Sequence, residues 1–188
     1  MNIRQFVHQC YRSKWGQPAR RAEFRVDGLV AEVLKWDRPA TGEGVILYTT
    51  VGASDYAMEA AHPGHRVEFF LGLLPEKDEI ASALAALALY PKRQAAIVDH
   101  GHTIPSSEPF WPGTAMRHFV ITRSIVPIIE PIEVGNGIHV EFLEVTPIFE
   151  SELAYKKKHG YEALRDHWKE HGVEFWNPDR LAPLVNTL

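Results

Sequence analysis

Histidine is the residue type that most invites chemistry in this 188-residue sequence: there are ten, and two pairs stand close together, His62-x-x-His65 and His100-x-His102. Two histidines at i and i+2 of a strand share a face and can take two positions around zinc or iron. No helical His-Glu-x-x-His accompanies them, which leaves Asp55, Asp99 or Glu68 to supply a further ligand. Ser54 with Asp99 and His100 or His102 would make a hydrolytic set. A nucleophile elbow, however, needs small residues on both sides of its serine, and Gly52-Ala53-Ser54-Asp55-Tyr56 places a tyrosine at the second position. Ser54 and Asp55 read better as turn or helix caps. Cys10 lies on an apolar helical stripe and reads as core. Gly42-Glu43-Gly44 lacks the remaining glycine and the lysine of a phosphate loop. No metal or cofactor is expected.

Residues 45–51 are aliphatic, aromatic or β-branched without a break, the pattern of a strand buried on both faces. Gly52 ends it and lets the backbone turn, delivering Ser54, Asp55 and Tyr56 at the strand's exit. Before it, Ile3, Phe6, Val7, Cys10 and Tyr11 recur at helical spacing, and Asp27-Gly28 between strand-like runs 24–26 and 29–36 predicts a hairpin. After it, residues 65–74 predict a long strand with Glu68 among apolar neighbours. A solvated or arginine-paired face is the expected setting for that carboxylate. Pro75 and the acids after it open a helix whose stripe is Ile80, Leu84, Leu87 and Ala88, and Tyr90-Pro91 is expected to end it.

A short strand within residues 95–104 would then carry His100 and His102 on one face. The proline-rich loop 105–112 holds Phe110 and Trp111, a pair suited either to anchoring a partner or to folding back on the core. Strand character resumes at 118–122. The two prolines of 126–133 restrict that run to an edge or a loop. Asn136-Gly137 is a turn, and 138–145 alternates as a strand with Ile138, Val140, Phe142 and Leu143 inward. Thr146-Pro147 is expected to start a helix carrying Glu150 and Glu152, closed by three lysines, His159 and Gly160. Tyr161, Leu164 and Trp168 mark another helix, and residues 177–180 a docked loop. Six or seven strands with three or four helices give an α+β class, a mixed central sheet with helices packed on it.

The length suits one domain, residues 1–188, with about 70% of the unfolded surface buried. A single cysteine excludes an internal disulfide and fits a reducing compartment, and no signal peptide or apolar run of membrane-spanning length is present, so a cytoplasmic protein is expected. A formal charge of −4 argues against nucleic acid as a partner and favours a basic protein.

Four blocks carry a family resemblance. Tyr48-Thr49-Thr50-Val51-Gly52-Ala53-Ser54-Asp55 resembles the aromatic-x-(Ser/Thr)-x-Gly-x-Ser-Asp signature of the Suppressor-of-fused (SUFU) domain family. Val67-Glu68-Phe69-Phe70 is similar to that family's Glu-centred strand, Gly101-His102 to its polar-His pair, and residues 147–153 to its Thr/Ser-Glu-Glu-Leu helix entry. The resemblance covers residues 45–168. It implies the same α+β architecture and a protein-interaction role: animal members bind a transcription factor through a short peptide added as a strand. Bacterial single-domain members are thought to act as immunity proteins in polymorphic-toxin systems. Tyr90 matches the family's peptide-contacting aromatic at the end of the helix. The second domain of the animal clamp is not matched and Gly101 stands where an acid is expected, so the animal ligand is not carried over.

The expectation is therefore a non-enzymatic domain that sequesters or neutralises a protein partner, with Asp55, Tyr90, His102 and Trp111 as contact residues and toxin immunity as the specific role. The alternatives are a metal-dependent or Ser/His hydrolase using His62, His65, His100 and His102, and a scaffold with weak partners.

Overall fold

The first helix, α1 (Ile3–Trp15), starts where Asn2 and Gln5 close a reciprocal capping box, and it buries Val7, Tyr11 and Trp15. The structure is a computed structural model and describes residues 2–58, 63–124 and 126–183. Strands β1 (Arg20–Val26) and β2 (Leu29–Trp36) form the expected hairpin, with Asp27 at φ 52° and Gly28 at φ 78°, the positive values a two-residue hairpin turn needs. A short helix, α2 (Arg38–Thr41), precedes β3 (Ile46–Val51), whose residues after Ile46 are all buried. A 3-10 turn (Ala53–Asp55) leads on to β4 (His65–Leu73).

The second half runs α3 (Ile80–Gln94), β5 (Thr103–Pro105), β6 (His118–Thr122), β7 (Ile132–Gly135), β8 (Ile138–Ile148), α4 (Glu150–His159) and α5 (Tyr161–Glu170). Among the described residues all eight strands join one mixed sheet in the order β1-β2-β3-β4-β8-β6-β5, with β7 beside β8. Every pairing is antiparallel except β4 with β8, which run parallel from His65↔His139 to Phe70↔Glu144. The α+β class with helices on a central sheet holds.

Side-chain alternation divides the packing by face. Leu143 and Val145 of β8 and Phe119 and Ile121 of β6 join Ile80, Leu84, Leu87 and Ala88 of α3 in the largest core. On the opposite face, Val140 and Phe142 pack with Val7, Tyr11 and Trp15 of α1, and Ile148 and Val120 pack with Leu164 and Trp168 of α5. Helices α1 and α5 thus share one face, and α3 covers the other.

Several expectations are corrected. Helix α3 begins at Ile80 rather than Pro75 and passes through Pro91 to Gln94; a proline there removes one N–H but the apolar stripe keeps the last turn packed. Residues 95–102 form no strand, so His100 and His102 do not share a strand face. Strand β8 runs through Pro147 to Ile148 before α4 begins at Glu150. Pairing with β4 stops at Glu144, so a residue without an N–H is tolerated beyond it. The run 126–133 contributes the first residues of an edge strand, β7, and lays Ile128 and Ile129 on the α1 core.

Glu68 is neither solvated nor paired with arginine. It is fully buried, accepting from Thr50 Oγ1 at 2.6 Å, Ser54 Oγ at 2.6 Å, Gly52 N at 2.8 Å and Ser54 N at 3.1 Å. Burial pushes its carboxyl above the ordinary range, and these donors pull part of the way back. The carboxylate holds the turn after β3 closed. Gly52, at φ 123°, admits no side chain here, because a Cβ would meet the Val30 carbonyl oxygen at 2.8 Å.

The docked tail is present as expected. Arg180 makes two 2.9 Å hydrogen bonds to buried Glu152, which also accepts Trp168 Nε1 at 2.7 Å and the Phe149 N–H at 2.8 Å. Arg180 donates further to the Pro147 carbonyl at 3.0 Å and lies 4.8 Å over the Phe149 ring.

Candidate protein-binding cleft

Strand β5 ends the sheet and pairs only with β6, so one of its edges is open among the described residues. The bonds Ile121 N–H to His102 O at 2.9 Å and Ser106 N–H to Arg117 O at 2.7 Å put the even-numbered residues in the hydrogen-bonded positions facing β6. By antiparallel alternation, the Thr103 N–H and C=O and the Pro105 C=O face the open edge. Pro105 withholds its own N–H there. The edge presents one donor and two acceptors, enough to register a short added strand and too little to template a long one.

Beside this edge lies a cleft of about 200 Å³ between α3 and β5. Leu87, Ile104 and Phe119 make its apolar floor, Ala83 and Ala86 keep its wall low, and Tyr90, Arg93, Gln94, Ser106 and Ser107 supply polar groups. Arg93 also reaches Asp27 of the β1–β2 turn at 3.4 Å. Ligand pockets for whole small molecules run about 300–1,000 Å³, so this volume fits one side chain of an extended segment better than a metabolite.

The four expected contact residues do not converge. Tyr90 lines the cleft, and His102 stands just before β5, its ring nitrogen Nδ1 3.2 Å from the Asp99 N–H. Asp55 is elsewhere, on the 3-10 turn, where it accepts from Arg4 Nε. Trp111 is only 4% exposed, and its neighbour Phe110 stacks on Phe119 at 4.2 Å. The pair folds onto the α3 core, because the proline-rich loop turns both rings inward, and Trp111 does not project as an anchor. The cleft residues Ile104, Ser106 and Arg93 were missed in the sequence. Pro105 directly after Thr103-Ile104 was the available signal for a strand that stops early.

The residues of the alternative chemistry are engaged in structure. Ser54 is fully buried with its hydroxyl on Glu68. His65 Nδ1 lies 2.9 Å from His139 Nε2, so one ring donates while the other accepts, and burial lowers the His65 pKa. His100 Nδ1 accepts the Arg123 N–H at 3.0 Å. His62 lies outside the described residues. Cys10 is half-buried, and burial raises its thiol pKa. Among the described residues no three His, Cys, Asp or Glu side chains gather as a metal-binding group, and no helix is long and apolar enough to cross a membrane.

A family model for Suppressor of fused protein (SUFU) matches residues 25–181. The chain belongs to the SUFU family. No curated protein matches it. A solved SUFU homologue from Neisseria gonorrhoeae FA 1090 is 19% identical with a TM-score of 0.72, over 98% of this chain and 96% of that one. The Sufu–Fu complex gives a TM-score of 0.66 at 15% identity, covering 96% and 90% of the two chains. Drosophila Suppressor of Fused gives 0.67 at 14% identity, and this chain spans 50% of it. At these identities the likeness shows the fold. Within the SUFU fold, two blocks of the resemblance explain each other: Thr50, Gly52 and Ser54 of the first donate to Glu68 of the second. A third supplies Glu152 for the tail. These three blocks maintain the scaffold; only Gly101-His102 adjoins β5, and neither residue lines the cleft.

Proposed function

We propose that this protein acts as a single SUFU-like domain that sequesters or neutralises a protein partner in the cytoplasm, by accepting an extended segment along the open edge of β5. The observation that carries the reading is the conjunction of that edge with the adjoining α3 cleft, where one side chain of the segment would sit against Tyr90. Main-chain hydrogen bonds give such a segment affinity and the cleft gives it specificity. His102 flanks the entry; Asp55 and Trp111 are left out of the contact. That one solved relative is crystallised as a Sufu–Fu complex supports a protein partner in general. Immunity to a toxin domain is the specific role proposed, with a standard interface of about 1,600 Å².

The partner is to be identified by affinity capture, purified and titrated calorimetrically against native protein, Tyr90→Ala and Thr103→Pro. Thr103→Pro removes the N–H on the open edge while leaving the ladder to β6 intact. Each variant is expected to weaken binding at least about tenfold, equivalent to about 1.4 kcal/mol, with the fold retained. Unchanged affinity in both would rule out the β5 edge. Rescue of growth when the partner is co-expressed with native protein, but not with Tyr90→Ala, tests the immunity role.

A further inference from the structure

On the sheet face opposite α3, between the territories of α1 and α5, Glu144 of β8 stands without a counter-charge. Alternation places it beside Phe142 and Thr146, with Thr122 of β6 as its register partner. Its carboxylate makes no hydrogen bond or ion pair among the described residues. Two hollows meet at it. One, of about 520 Å³, is bounded by Thr122, Arg123, Val126, Tyr161 and Arg165. The other, of about 160 Å³, is bounded by Val45, Leu47, Phe70, Ile128, Phe175 and Trp176.

The cations at the rim are already neutralised. Arg123 pairs with Glu141 and, at 2.9 Å, with Asp99, while Arg165 pairs with Glu162 at 2.6 Å and Asp166 at 3.1 Å. His100, which also lines the larger hollow, lies 3.6 Å from Glu162; Glu144 is left without a counter-charge among the described residues, as is Glu43 at the rim of the smaller hollow. Apolar surface is also left over in the same place: Val126 is 79% exposed and Trp176 37%, two of the few large hydrophobics the molecule shows to solvent. A partly buried carboxylate lacking its cation, between exposed apolar side chains, is the complement of a long cationic side chain whose stem packs while its head pairs.

We propose that the strip around Glu144 seats an arginine or lysine side chain of a partner polypeptide, flanked in that partner by apolar residues. It is a second surface, on the other face of the sheet from the β5 cleft, and stands or falls separately. Burial raises the Glu144 carboxyl above its ordinary range, with no donor to offset it. A group raised on folding adds stability below its unfolded value and loses it as pH rises through its folded value. Above that value, ionised Glu144 is a liability that only a ligand relieves.

The test is a chemical-shift titration at pH 8 with the blocked tripeptide Leu-Arg-Leu and its neutral citrulline counterpart, against native protein and Glu144→Gln. Expected are saturable shifts at Thr122, Glu144 and Tyr161 with the arginine peptide and none with citrulline. Glu144→Gln should weaken binding at least about tenfold and raise the thermal midpoint at pH 8. Absence of saturable shifts, equal binding of citrulline, or undiminished binding to Glu144→Gln overturns the proposal. A lowered thermal midpoint in Glu144→Gln overturns it too, since that would make Glu144 a structural group. The two peptides decide the matter on native protein even if the variant fails to fold.

Discussion

Replacing Glu68 by alanine is expected to lower stability by about 4 kcal/mol or more, read as a shift in denaturant midpoint at constant slope. The four hydrogen bonds from Thr50, Gly52 and Ser54 all end on this fully buried side chain. Each orphaned buried donor costs about 1–3 kcal/mol, and water entering the vacated space recovers only part. Typical domains have about 5–15 kcal/mol in total, so the variant approaches the unfolding threshold. Glutamine at the same position separates acceptor from charge. Its oxygen can keep the Gly52 and Ser54 donors, and its NH₂ can donate to the Thr50 hydroxyl. Because burial already disfavours ionised Glu68, Glu68→Gln should fall within about 1 kcal/mol of native. Equal losses for alanine and glutamine would show that the negative charge, rather than the acceptor, holds the turn.

Arg180→Ala is the second large effect, about 3–5 kcal/mol, because it strands a buried carboxylate. The side chains are 5% and 0% exposed, so solvent does little to screen the pair. The loss should be localised: amide exchange should rise first in the segment after α5, where the Leu74 N–H donates to the Trp176 carbonyl at 3.0 Å, while β3 and β4 stay protected. The double variant Glu152→Gln/Arg180→Met should regain part of the loss, since no charge is then left buried. A double variant no more stable than Arg180→Ala would count against desolvation as the cause.

The features legible in the sequence were those set by local chemistry. Asp27-Gly28 announced its hairpin because few dipeptides accept two positive φ values, and the unbroken apolar run of β3 announced a strand buried on both faces. Proline misleads three times. Pro75 reads as a helix start but lies in a bend before α3, while Pro91 reads as a helix end and Pro147 as a helix start, yet both sit where the missing N–H costs little: in the last turns of α3, and in β8 beyond its pairing with β4. Glu68 showed as an anomaly whose solution lay 14 to 18 residues away, in groups that read as mere turn residues. The cleft was half legible. Tyr90 was marked, but β5 is three residues long and its open edge is a property of sheet order, which no local pattern carries. His139 was overlooked as the partner of His65 because parallel pairing joins residues with no sequence signal between them.

The parallel seam between β4 and β8 also governs the order in which the protein can be made. Strands β1 to β4 can pair as they leave the ribosome, but His65 must wait for His139, 74 residues later, an interval of about 4–15 s at ordinary rates of translation. Throughout it the far edge of β4 is bare, with Val67, Phe69 and Phe70 beside it, and a nascent chain in that state can recruit its neighbours on a polysome. Chains stalled before β8 should therefore aggregate on release, and those stalled after it should not. Glu68 is already held by Thr50, Gly52 and Ser54, all made before it, which leaves Arg66 as the charge within β4 placed to discourage edge pairing during the wait.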